Sequence, residues 1–175
     1  MLIERGYDGL VLRELAESLG LTLGNLQYYF KTRESVAMHV LKVEGTRDAD
    51  LVKEQRRAGQ PVDAFRMVVR DMADRYRGDS GRLLSLISAL AQHHESFRVL
   101  YRDSYMNFYP EFEALLRDLR PDLSSPEITA RARVINALVE GSAFQIEVGE
   151  IDAFLDRIVD EAEQVVLRTS GPTAR

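Results

Sequence analysis

The chain has 175 residues, 45% of them hydrophobic and 29% charged, with a net charge of −5 and no cysteine. These figures suit a soluble globular protein with one substantial core or two small ones, and they exclude disulfides, thiolate metal ligands and a cysteine nucleophile. No apolar run reaches the ~18–20 residues of a membrane helix. The opening MLIERGYDG lacks the apolar stretch of a secretory signal, so a cytoplasmic location is expected.

The charge is unevenly spread. From Met1 to Arg47 six basic residues (Arg5, Arg13, Lys31, Arg33, Lys42, Arg47) balance six acidic ones (Glu4, Asp8, Glu14, Glu17, Glu34, Glu44), so the negative surplus lies beyond them. The head lacks the strongly basic footprint that best marks a nucleic-acid binder. A neutral head with well-placed cations on an acidic body can still hold phosphates.

In chain order, LRELAESLG places Leu12, Leu15, Ala16 and Leu19 on one face of a short helix. Gly20 stands where a left-handed stop is wanted. Thr22 is a suitable N-cap for the next helix, with Leu21 and Leu26 spaced as a hydrophobic staple across it. Thr32 caps a third, longer helix running from about Arg33 into VKEQRRAG. Gly59 and Pro61 break that helix. Further helices are expected from about Val62 to Arg77, Arg82 to Glu95, Phe97 to Leu119, Glu127 to Val148 and Ile151 to Arg168. RGDSG and RPDLSSPE read as loops, Gly149 as the break before the last helix, and TSGPTAR as a frayed tail. The strand pattern of alternating β-branched residues is nearly absent, so the expected fold is all-α. It divides into a head, 1–47, and a helical body, 48–175.

The stretch LTLGNLQYYF is too polar for core and too aromatic for water. Two short helices joined by a glycine turn form a helix-turn-helix, whose second helix lies in the major groove. Gly24 lets the backbone approach a phosphate. Asn25 and Gln27 offer amides to base edges. Tyr28 and Tyr29 offer hydroxyls to phosphate and rings to sugar or thymine methyls. Leu26 and Phe30 turn inward to hold the helix to its domain. Lys31 and Arg33 follow where the backbone passes.

ERGYDG followed by LRELAESLGLTLGNLQYYFKTRESV resembles the DNA-binding domain of TetR-type transcriptional regulators, from Glu4 to about Leu41. NALVEGSAFQI resembles, more weakly, a glycine-centred pattern in the penultimate helix of many members. The resemblance implies a homodimer on palindromic operator DNA, usually a repressor, with a body that binds a small molecule and releases the DNA. It assigns DNA contacts to Arg13, Leu23, Gly24, Asn25, Gln27, Tyr28, Tyr29, Lys31 and Arg33. Three positions depart from the family pattern. Only MLIER corresponds to its first helix, so an N-terminally incomplete head is expected. Val11 stands where Thr or Ser usually caps the second helix, at a cost of about 1 kcal/mol. Leu23 replaces a residue that is often cationic or polar and cannot pair with phosphate.

In the body, Phe97, Tyr101, Tyr105, Phe108 and Phe112 form an aromatic stripe with Ser104 and Asn107 beside it. Such residues serve a closed core or an apolar pocket with a few polar handles. Few charges fall on the stripe, so the expected effector is small and mostly apolar. Gln92, His93, Tyr101, Ser104, Tyr105, Phe108 and Phe144 are its candidate contacts. His93 and His94 are adjacent on a helix and point about 100° apart, which disfavours shared metal binding. GDSG copies a serine-protease loop without partners for it and reads as a turn. The last two helices are the dimer candidate, through Ile135, Leu138, Gly141, Ser142, Gln145, Phe154, Leu155, Ile158 and Ala162, in a four-helix interface. No catalytic constellation, metal site or cofactor is expected. The competing reading is a helical ligand-binding or protein-interaction dimer that has lost DNA binding.

Overall fold

The computed structural model describes residues 1–144 and 151–168 and, of residues 151 and 152, the backbone only. Every regular element among them is a helix: α1 Leu2–Arg5, α2 Leu12–Ser18, α3 Leu23–Tyr29, α4 Arg33–Ala58, α5 Pro61–Tyr76, α6 Asp79–His93, α7 Glu95–Leu119, α8 Ser125–Ser142 and α9 Ile151–Leu167. None is long and apolar enough to cross a membrane.

The helices of the head begin and end where side chains satisfy their terminal amides. Gly20 ends the α2 segment at φ 67°, a conformation that costs an L side chain about 1 kcal/mol. The Thr22 hydroxyl accepts the Asn25 amide at 3.2 Å and starts α3. Thr32 and Ser35 cap α4 reciprocally, at 3.1 Å and 3.2 Å. Val11 makes no side-chain cap on α2, and Glu14 instead pairs with Arg5 at 2.5 Å. Leu19 and Leu21 remain exposed. Leu19 is the C-cap of α2, where the chain has left the helix (φ −95°, ψ 1°), so its side chain does not continue the apolar face. Leu21 therefore does not form a buried staple with Leu26.

α4 is one unbroken helix of 26 residues, and position 47 lies in its middle. Its first half joins α1 and the α1–α2 loop to α6 and α7 in one apolar cluster containing Leu2, Leu10, Val36, Leu41, Ile87 and Phe97. Tyr7 meets Phe97 edge to face at 5.4 Å. The second half of α4, with α5, α7, α8 and α9, surrounds the larger core built on Phe65, Met72, Phe112, Leu115, Ile128 and Ile158. Phe97, Phe108 and Phe112 are thus core residues, whereas Tyr101 and Tyr105 are only partly buried.

Two loop expectations change. GDSG is not a turn: Gly78 is the N-cap and Asp79, Ser80 and Gly81 form the first turn of α6. Gly81 packs so tightly there that a Cβ would collide with the Tyr76 carbonyl. α6 and α7 are separated by His94 alone, in extended conformation. α8 begins earlier than expected, with Pro126 in its first turn, where a missing N–H costs nothing. It is described as far as Ser142, and Gly149 lies outside the described residues.

The dimer residues divide by exposure. Ile135, Ser142, Leu155, Ile158 and Ala162 are buried within the single subunit. Ile135, Leu155, Ile158 and Ala162 belong to the large core, and the buried Ser142 hydroxyl donates to the Val139 carbonyl of its own helix, so these residues pack within the subunit. Leu138, Gly141 and Phe154 are exposed. Gln145 lies outside the described residues. The α9 C-terminus is held by two arginines: Arg131 donates to the Val166 carbonyl at 2.5 Å, and Arg120 to Val166 and Leu167 at 3.0 and 3.1 Å. Cations at a helix C-terminus are favourable for the dipole as well.

Truncating the fully buried Phe112 to alanine is expected to cost ~3–5 kcal/mol. Thr22→Ala is expected to cost about 1 kcal/mol through loss of the α3 cap. Urea unfolding of the two variants checks both magnitudes.

Candidate nucleic-acid interface and body cavity

α3 is anchored by one buried side chain, Leu26, with Leu23 and Phe30 half-buried on the same side. Phe30 packs against His39 of α4 at 5.3 Å. The opposite face carries Gly24, Asn25, Gln27, Tyr28 and Tyr29, all exposed. Tyr28 and Tyr29 are 81% and 76% exposed, far beyond what an aromatic ring serving the protein's own packing shows. Their rings meet edge to face at 5.0 Å. Among the described residues, the side chains of Asn25, Gln27, Tyr28, Tyr29 and Lys31 make no hydrogen bond or ion pair. The face is therefore a set of unsatisfied donors and acceptors on a short, rigid helix.

The expected cations behave differently from one another. Lys31 is exposed directly after α3. Arg13 is exposed on α2, with only a 4.0 Å approach to Glu17. Arg33 is engaged inside the head: its guanidinium pairs with Asp8 at 3.2 Å and lies 4.6 Å from the centre of the Tyr7 ring. It ties the start of α4 to the α1–α2 loop, which sequence spacing could not reveal because the partners are 25 and 26 positions away.

In the body, a cavity of ≈ 60 Å³ lies between α4, α5, α6, α7 and α8. That is room for about four waters or a small organic head group. Leu83, Leu84, Ile87 and Phe108 form its apolar side. Of the expected ligand contacts, Tyr101, Ser104, Tyr105 and Phe108 line it. Gln92 and His93 do not: they are exposed at the far end of α6. Phe144 does not either, and is 72% exposed beyond α8.

The polar lining departs from the apolar expectation. Glu44 and Asp48 of α4 and Glu140 of α8 face the cavity, beside Tyr76 and the buried Asn136. These carboxylates come from helices other than the one carrying the aromatic stripe, so α7 alone gave no sign of them. A signal was present: Asn136 and Glu140, four apart, interrupt the apolar run of α8. Asp48 accepts from Arg75 at 2.5 Å and from the Tyr76 hydroxyl. Glu44 pairs with Arg47 at 3.0 Å. Burial works against the charge of Arg75, but Asp48 and Asp71 outweigh it and hold the guanidinium's pKa above its ordinary value. Burial, then the charge of Asp48, raises that of Tyr76.

Glu140 has no ion-pair partner among the described residues. Its Oε1 accepts from Tyr105 Oη at 2.6 Å and from Asn136 Nδ2 at 2.9 Å, and Tyr105 in turn meets Tyr101 Oη at 3.0 Å. Burial raises the Glu140 pKa from its ordinary value, against the lowering effect of those two hydrogen bonds. Burial and the neighbouring Glu140 raise that of Tyr105.

A Cβ on Gly45 would overlap the Ser104 hydroxyl, so α4 and α7 touch nearly backbone to side chain at the cavity wall. α4 carries Leu41, Glu44, Gly45 and Asp48 into the cavity and bears the head at its other end.

Neither a family model nor a curated protein matches the sequence. Solved structures match the fold. A transcriptional regulator of Rhodococcus sp. aligns with TM-score 0.77 at 21% identity, over 95% of this chain and 89% of its own. A TetR transcription regulator of Haloarcula marismortui aligns with TM-score 0.76 at 15% identity, over 94% and 89%. The chain has the TetR-type fold. A transcriptional regulator from Saccharomonospora viridis, solved in complex with choline, aligns with TM-score 0.71 at 16% identity, over 94% and 88% of the two chains. Within the TetR-type fold, α2 and α3 are the helix-turn-helix and the cavity lies in the helical body.

The raised pKa of Glu140 has a definite sign for stability. Below the ordinary carboxylate range the group is protonated whether folded or unfolded and has no effect. As pH rises through its folded value, ionisation progressively destabilises the fold. Glu140→Gln is therefore expected to melt at a higher temperature than wild type near neutral pH, with the difference vanishing in acid. Thermal unfolding across pH, with Asp48, Tyr76 and Tyr105 left intact around the site, checks this.

Proposed function

We propose that the protein is a DNA-binding transcriptional regulator, acting as a cytoplasmic homodimeric repressor on a palindromic operator and released by a small molecule. The observation that carries the reading is the outer face of α3, where Asn25, Gln27, Tyr28 and Tyr29 stand exposed with unsatisfied polar groups on a helix fixed from behind by Leu26. An amide-and-phenol face of that kind suits the major groove, where Asn and Gln read adenine and tyrosine reaches phosphate. The TetR-type fold supports this placement, since the helix concerned is the second of the helix-turn-helix. Arg13 and Lys31 position the head on the backbone. Arg33 acts indirectly, by fixing the loop before α2.

The homodimer is assigned to the outer face of α8 and α9. Val134, Leu138, Gly141 and Phe144 follow one another along α8 and its end, all exposed, and Phe154 of α9 is exposed with them. Packing that stripe on a second copy sets two heads about one helical turn of DNA apart, as two half-sites require. The buried residues of the same helices form the subunit core that holds the stripe in place.

The effector is assigned to the cavity beside α4. A ligand that enlarges it separates α4 from α7 at the Gly45–Ser104 contact and swings the head. Ligand and DNA then favour different states of the dimer. A neighbour of this fold solved in complex with choline supports a small organic ligand.

Asn25→Ala is expected to relax base preference at one operator position by ~1–3 kcal/mol. Lys31→Ala should weaken all sequences alike and lower the salt dependence by about one phosphate. Fluorescence anisotropy with DNA selected from a random pool checks both, and wild-type binding by both variants would count against the interface. Leu138→Glu should leave a folded monomer with reduced operator affinity, whereas Ile158→Glu, a core substitution, should unfold the subunit. Light scattering and circular dichroism separate these outcomes, and a monomeric wild type would overturn the dimer.

A further inference from the structure

We infer that the body cavity takes an organic monocation, an amine or quaternary ammonium whose charged head sits against Glu140 and the rings of Tyr101 and Tyr105, with its apolar part along Leu83 and Ile87. The inference rests on reading the body as the effector module and specifies the chemistry that the module selects.

The charge of the cavity carries it. Among the described residues three carboxylates line the space, and no lysine, arginine or histidine does. Two of the three are matched from outside it, Asp48 by Arg75 at 2.5 Å and Glu44 by Arg47 at 3.0 Å. Glu140 is matched by nothing charged among the described residues. Its two donors, Tyr105 and Asn136, are neutral and both go to Oε1. Oε2 takes no hydrogen bond from the described residues and remains available to a ligand. Glu140 is partly buried, and a partly desolvated carboxylate without a counter-charge gains from a ligand that supplies one.

The walls suit a cation as well. Tyr101 and Tyr105 line the cavity with their rings edge to face at 4.9 Å, and both join the hydroxyl chain that ends on Glu140. Aromatic faces next to a carboxylate attract ammonium groups through the ring quadrupole. Opposite them, Leu83, Leu84 and Ile87 offer no polar group, which suits the hydrocarbon of such a molecule. An anion would meet the carboxylates without a cation to receive it. A neutral ligand would leave Glu140 as uncompensated as before. A primary amine gains a charge-assisted hydrogen bond to Oε2. A quaternary ammonium has no N–H to donate and relies on Coulomb attraction and the rings.

The test uses four probes with one hydrocarbon chain: butylammonium, butyltrimethylammonium, 1-butanol and butanoate. Each is titrated calorimetrically into the full-length protein and into Glu140→Gln. At least one cation is expected to bind wild type about tenfold or more tightly than the alcohol, as one charge-assisted contact provides, and butanoate least. Which of the two cations binds better distinguishes a hydrogen-bonded amine head from a quaternary one. In Glu140→Gln, whose fold is checked by thermal melting, the cation preference should disappear while the alcohol binds as before. The inference is overturned if butanol or butanoate binds as tightly as both cations, if no probe binds, or if Glu140→Gln keeps the preference. The same probes added to the operator complex separate this from the effector reading. A cation that binds without releasing DNA upholds the inference and defeats the effector role. Release by butanol without any cation binding does the reverse.

Discussion

The position of α4 constrains everything else in this molecule. Its N-terminus is capped by Thr32 and Ser35 at the point where α3 ends, so it fixes the angle of the candidate DNA-reading helix. Its middle forms a wall of the cavity. Its far half lies in the main core with Val52 fully buried, and Arg56 reaches Asp118 of α7 at 2.9 Å. A continuous helix is stiff over this length, so a displacement at Gly45 is carried to Thr32 instead of being absorbed between them. At Gly45 α4 approaches α7 closely, with only the short Ser104 side chain between the two helices.

Head and body are not independent units in the usual sense. Leu2, Leu10, Val36 and Leu41 share one apolar cluster with Leu83, Ile87, Phe97 and Leu100, and Ser96 donates to Glu34 at 2.6 Å across the same junction. The head is seated on the body by burial and by hydrogen bonding. This seat lies beside the cavity: Leu41, Leu83 and Ile87 belong to both. Packing at the cavity wall and packing at the seat therefore share side chains.

Charge within the body is distributed with similar economy. Arg66 and Arg70 of α5 pair with Asp160, Glu163 and Asp156 of α9, joining surface to surface where solvent screens the interaction and its contribution is small. Arg75, by contrast, is largely buried between Asp48 and Asp71 and offsets carboxylates that would otherwise face the cavity unmatched. Glu140 is the carboxylate this arrangement leaves over. A partly buried carboxylate without a counter-charge marks a candidate binding position.

Local patterns in the sequence were sufficient for the helix-turn-helix and for most of the helices. The N-caps at Thr22 and Thr32, the left-handed Gly20, the inward Leu26 and the exposed Asn25, Gln27, Tyr28 and Tyr29 all depend on neighbours within a few positions, and a helix reports those directly. The same reasoning misjudged residues whose environment comes from distant segments. Ile158 and Ala162 looked like interface because their apolar face is visible in sequence, but only tertiary packing decides whether α5 or a second copy covers it. Gln92 and His93 looked like cavity residues by proximity to an aromatic stripe, yet they lie exposed at the C-terminal end of α6, beyond the Ser80–Ile87 stretch that lines the cavity. Arg33 looked free until Asp8 and Tyr7 were folded against it. The cavity itself was legible only on its α7 side: its carboxylates arrive from α4 and α8, 36 to 60 positions away from Ser104 in the sequence. Helical periodicity determines which face a residue occupies, whereas the partner of that face is set by how separate helices fill the space between them. That is a property of the whole chain and of no window within it.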